Sequence, residues 1–165
     1  MIAYSYIEKN LKFLENRYAK SRQWQELSFL SKIAVIELCG WIEVSMDDIF
    51  YRFISKNLRD QKNIEDLKNS ISNNYGFHYD RNFKKMIISC VGHHGFEDIQ
   101  NSIDPQIIQS FKSELGSLSF IRNQLAHNYV KGTTAQFDSP TITLSRLGRI
   151  SQGLKEYDTT FRRLS

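Results

Sequence analysis

The chain has 165 residues, a formal net charge of +4 and a pI near 9.0, with 41% hydrophobic and 24% charged residues; this mixture excludes a disordered chain and fits one domain over residues 1–165 with a sizeable core. Two cysteines without close partners in sequence, Cys39 and Cys90, argue against a disulfide framework and for a reducing cytoplasm. The N-terminus lacks a charged segment leading into an apolar stretch, and no uncharged apolar run approaches membrane-spanning length, so a cytoplasmic chain with no membrane partner is expected.

In chain order, Ile2, Tyr6, Leu11, Phe13, Leu14 and Tyr18 recur at helical intervals and predict a first amphipathic helix. From about Gln23 to Asn57 there is no proline and a single glycine, Gly40, among many apolar residues. An unbroken helix of that length would span about 50 Å and form the spine of the fold. Shorter helices are expected near Ile64–Ser72 and Asn82–Val91, with Asn73–Gly76 and Gly92–Gly95 read as turns. Asp104 before Pro105 predicts a capped helix to Leu115, with Gly116 as a break before a further helix that carries Leu118, Ile121 and Leu125. A polar loop follows from Gly132 to Pro140, and Thr143 is the expected cap of a last helix to Leu164. Strand alternation is confined to Thr141–Thr143, so the expected fold class is all-α, an up-and-down helical bundle with a long central helix.

One segment carries chemistry. Phe120-Ile121-Arg122-Asn123-Gln124-Leu125-Ala126-His127-Asn128-Tyr129 puts an arginine, an asparagine, a histidine and a tyrosine within eight residues. Arginine supplies a permanent planar cation suited to phosphate, and histidine exchanges protons near neutrality. The Arg-to-His spacing alone would arise by chance about one time in four, whereas adding the polar residue after Arg122 and the tyrosine after His127 lowers that to about two in a thousand. On a straight helix Asn123 and His127 share a face, while Arg122 and His127 are rotated by about 140°. The pair converges either where the helix loosens before Gly132 or across a two-fold dimer, where one cleft would hold two arginines and two histidines. Such a cleft offers a base for the ribose 2′-OH, an acid for the leaving oxygen and cations for the phosphorane, which is the chemistry of RNA cleavage without metal.

The run from Arg122 to Tyr129 resembles the signature of HEPN domains, in which arginine is followed by a polar residue and, four to six positions later, by histidine. The all-α setting, the long apolar helix and the late position of the motif share the resemblance. It implies a homodimeric, metal-independent HEPN-like endoribonuclease of the toxin–antitoxin or antiphage-defence kind, with RNA as substrate, Arg122 and His127 as the catalytic pair and Asn123 as their polar support. His127-Asn128-Tyr129 is similar to the extended form in toxins paired with a nucleotidyltransferase antitoxin, which implies Tyr129 as an acceptor of AMP. HEPN families also include non-catalytic modules that bind nucleotide, RNA or protein, and the motif is common to both kinds.

Glu37 and Glu43 lie within the apolar stretch Ile33–Val44, and Asp47 follows Glu43 at i+4. A carboxylate buried without a partner is costly, so these groups are expected to face a cation, a cleft or solvent. Glu43 or Asp47 is therefore a candidate to orient Arg122 or His127. Cys90-Val91-Gly92-His93-His94 offers too few ligands for a metal centre, His78 reads as structural, and Trp24 and Trp41 read as packing residues. With no Gly-rich phosphate loop, no Gly-x-Ser-x-Gly elbow and no carboxylate constellation, neither metal nor cofactor is expected. The basic residues around Lys9–Arg22, Arg81–Lys85 and Arg146–Arg163 read as solvated faces or as a nucleic-acid surface, depending on how they fold.

Overall fold

The computed structural model describes residues 2–127 and 137–164; at 126 and 127 the description covers the backbone. The described residues form six α-helices and no strand: α1 (Ser5–Lys20), α2 (Trp24–Asn57), α3 (Gln61–Ser72), α4 (Lys84–Ser102), α5 (Pro105–His127) and α6 (Pro140–Arg163), with a π-helical turn, Tyr79–Phe83, leading into α4.

The 34 residues of α2 rise about 51 Å, and α2 packs against α1, α3, α4, α5 and α6. A helix with so many neighbours is apolar on most sides. Leu38, Ile42, Ile49 and Phe50 are fully buried, whereas Ile36 and Val44 stand outside. In α1 the buried face is Ile7, Leu11 and Leu14, while Tyr6 and Phe13, expected to pack inward, are exposed. Trp41 packs edge-on to Tyr4 and donates its indole N–H to the Ala3 carbonyl at 2.6 Å.

Three expected helix boundaries differ in the structure. The chain stays helical through residues 93–102, and the predicted Gly92–Gly95 turn reduces to a kink at Gly92, whose φ of 71° favours glycine. Gly116 does not interrupt α5. Buried Leu115 and Leu118 anchor the helix on both sides of it, so packing overrides the low helix propensity of one glycine. Thr143 is not the cap of α6. Ser139 takes that role by accepting from the Ile142 N–H at 3.4 Å, with Pro140 next to it, and Thr143 is buried one turn on, donating its hydroxyl to the Ser139 carbonyl. Residues 141–143, the one stretch with strand alternation, are therefore helical. The Asp104–Pro105 start of α5 has the expected cap: the carboxylate accepts from the Gln106 N–H at 2.7 Å.

Between α2, α4, α5 and α6 lies an aromatic core. Phe83 meets Tyr157 edge-on at 4.8 Å and Phe111 at 5.5 Å, and Phe50 meets Phe161 at 5.3 Å. Edge-to-face pairs of this kind add to the burial energy of the rings. The phenols within the core form a closed triangle: the Tyr79 and Tyr157 hydroxyls are 2.8 Å apart, and Gln100 accepts from Tyr79 and donates to Tyr157. Each of the three side chains in this triangle thus has hydrogen-bond partners within it, as burial demands.

Candidate functional site

Because α2 and α5 pack together, the middle of α2 lies beside the C-terminal turns of α5. Glu43 and Asp47, one turn apart on α2, there come to the same wall as Arg122. The Arg122 guanidinium Nη2 is 3.7 Å from Glu43 Oε1, close enough for an ion pair and too long for a hydrogen bond. Glu43 Oε1 is itself shielded from solvent and has no hydrogen-bond partner among the described residues. The Arg122 side chain is 47% exposed. Among the described residues it is thus loosely held, with donors left over.

Two cavities share this ion pair as a wall. One, of about 480 Å³, is bounded by Ile36, Cys39, Gly40, Asn123 and Leu125. The other, of about 110 Å³, opens on Asp47, Ser72, Asn74, Tyr75 and Gly76. Burial, and then the charges of Glu43 and Asp48, push the Asp47 carboxyl up to about 6. It therefore changes charge within reach of neutral pH. Burial first, and Glu43 second, against an opposing pull from Arg122, push the Cys39 thiol up to about 12, so it stays protonated and is no nucleophile.

Of the residues singled out in the sequence, the fold brings together Arg122, Asn123, Glu43 and Asp47. His127 ends α5, where five residues of helix separate it from Arg122 by about 140° of rotation. Its side chain, like Asn128 and the proposed AMP acceptor Tyr129, lies outside the described residues. Glu37 faces away from the site and accepts from Asn10 of α1 at 3.1 Å. His94 pairs with Asp98 at 2.9 Å on the exposed side of α4, His78 caps the π-turn through the Arg81 N–H, and no group of three metal-binding side chains occurs among the described residues.

The basic residues of α6 are largely engaged with carboxylates. Arg146 bridges Glu114 at 2.6 Å and Asp138 at 2.9 Å, Arg149 also holds Glu114, and Arg162 shares Asp158 with Arg52. These contacts are short, and that of Arg122 is long. Sequence reasoning missed the loop after α3, which forms the far side of the small cavity. Its signal was present in Asn73-Asn74-Tyr75-Gly76, where turn formers flank an aromatic residue on both sides.

No helix among the described residues is long and apolar enough to cross a membrane. Compared with known proteins, the chain matches no family model, no curated protein and no solved structure.

Proposed function

We propose that this chain is a metal-independent endoribonuclease of the HEPN type, acting as a homodimer in a toxin–antitoxin or antiphage-defence setting. The observation that carries the reading is Arg122: the arginine of the composite motif is half-exposed, meets its carboxylate at 3.7 Å, and walls two cavities beside a carboxyl that titrates near neutrality. In this reading Arg122 holds the scissile phosphate and offsets the charge of the phosphorane, with Asn123 as polar support. His127 serves in proton transfer. A base removes the 2′-OH proton, the 2′-oxygen attacks phosphorus, the bond from phosphorus to the 5′-oxygen breaks, and an acid returns a proton to that oxygen. The products are a 2′,3′-cyclic phosphate and a 5′-hydroxyl.

Dimerisation supplies the second set of groups. Support comes from the outer face of α2, where Phe29, Ile33, Ile36 and Val44 are exposed and fall, with Gly40 and Asp47, within about 100° of arc. On α5, exposed Phe120 shares a face with Asn123 and position 127. Apolar stripes of this extent usually mark an interface, and a second copy covering them would bring two motifs to one cleft. A nucleotidyltransferase antitoxin acting on Tyr129 fits the same reading. The test is RNA cleavage in the presence of chelator by wild type, Arg122→Ala and His127→Ala. Loss in both variants with unchanged circular dichroism is expected, and equal activity in all three overturns the proposal.

A further inference from the structure

Tyr75 is the most exposed large side chain with apolar surface in the described chain, at 84%, yet the loop that carries it is tightly organised. The Asn82 side chain donates to the Tyr75 carbonyl at 2.8 Å and to Asn74 Oδ1 at 3.0 Å, and accepts from the His78 N–H at 3.1 Å. Asn74 returns a hydrogen bond to the Asn82 carbonyl at 3.0 Å. Gly76 has φ of 100°, a conformation that L side chains rarely adopt, and a Cβ there would sit 3.4 Å from Asn82 Oδ1. A polar scaffold thus fixes the backbone on either side of a ring that contributes little to the core.

Tyr75 is part of the wall of the small cavity that Arg122 and Asp47 also line. At about 110 Å³, the cavity is well below the 300–1,000 Å³ typical of pockets that enclose a whole small molecule. Its wall also carries the Glu43 and Asp47 carboxylates, which repel an anion from the interior, so a phosphate would meet the exposed side of Arg122 at the rim and the base joined to it would lie along that rim. An exposed aromatic residue and an arginine on one cavity wall are the two elements by which single-stranded nucleic acid is held: the cation takes the backbone and the ring takes the face of a base.

We infer that Tyr75 is a stacking platform for an unpaired base of the RNA strand whose phosphate Arg122 engages. The inference rests on the ribonuclease reading above and adds a substrate requirement. Stacking accepts any base, so the preference is for an unpaired nucleotide next to the bound phosphate rather than for a sequence; a base inside a duplex has no free face to offer.

The experiment measures binding separately from cleavage. A fluorescein-labelled 2′-O-methyl RNA oligonucleotide, which lacks the attacking hydroxyl, is titrated with wild type, Tyr75→Trp and Tyr75→Leu by anisotropy, single-stranded and annealed to its complement. Wild type and Tyr75→Trp are expected to bind the single strand alike, Tyr75→Leu on the order of tenfold more weakly, and all three to bind the duplex with equally low affinity. Equal binding of the single strand by Tyr75→Leu and wild type overturns the inference, as does absence of binding by wild type. If the stacking pattern holds but wild type leaves unmodified RNA intact, the ribonuclease reading fails and the subsite stands.

Discussion

Replacing Asp47 with asparagine is expected to stabilise the protein at neutral pH and to leave it unchanged in acid. Burial and the neighbouring charges of Glu43 and Asp48 lift this carboxyl from 3.8 to about 6. Between those values the native state binds more protons than the unfolded chain, so stability falls as pH rises through the window. Below 3.8 both states are protonated and there is no penalty; above about 6 both are ionised and the whole penalty applies. At 1.36 kcal/mol per pH unit a fully shielded group would lose about 3 kcal/mol. Asp47 is only half-buried, and solvent screening brings this to about 1 kcal/mol. Asparagine keeps the shape and removes the charge. Urea unfolding at about pH 7.5 should show the variant's midpoint raised by about 0.5 M, given a slope near 2 kcal/mol/M, and the difference should vanish by about pH 4. A variant equally or less stable at the higher pH would refute the placement of Asp47 in a shielded, negatively charged corner.

Other consequences follow from the same packing. Glu43→Gln removes the second-largest cause of the Asp47 shift and the partner of Arg122, so the Asp47 carboxyl should titrate lower by NMR and RNA cleavage should fall about tenfold, an effect of about 1.4 kcal/mol; an unmoved titration together with unchanged cleavage would remove Glu43 from the site. Gly153→Ala should destabilise by about 1–2 kcal/mol, because a Cβ there would lie 2.5 Å from the Phe111 ring, and overpacking of a close-packed core outweighs the gain of about 1 kcal/mol in helix propensity. Gly116→Ala meets open space and should raise the thermal midpoint through the same propensity term; a lower midpoint would show that α5 is interrupted there after all.

What could be read from the sequence was governed by range. The long apolar run of α2 and the Asp104–Pro105 start of α5 are local signals, settled by hydrophobic content and by one cap, and both appear as expected. Gly116 misled because the weak preference of one glycine yields to packing, with Leu115 and Leu118 buried on both sides of it; Thr143 misled because Ser139 caps α6 one turn earlier; Gly92 does leave helical geometry, but at that one residue rather than as a turn through Gly95. Arg122 and Asn123 were visible as a pattern, and Glu43 and Asp47 as carboxylates out of place in an apolar helix. Their meeting depends on how α2 crosses α5, which no spacing within either helix encodes. The loop carrying Tyr75 was legible only as a turn, since its organisation depends on Asn82, several residues on, whose side chain donates to the Tyr75 carbonyl.

The proposed reaction has Arg122 and His127 direct a ribose 2′-hydroxyl against the adjacent phosphate without metal. It is tested most directly by incubating the purified chain, in chelator, with two end-labelled single-stranded RNAs, one unmodified and one bearing 2′-deoxyribose at the mapped cleavage position. Cleavage of the first to 2′,3′-cyclic phosphate and 5′-hydroxyl ends is expected, with no cut at the substituted position in the second and neither reaction with Arg122→Ala or His127→Ala. Cleavage at the deoxy position, or cleavage of the unmodified RNA by either variant at the wild-type rate, would contradict it.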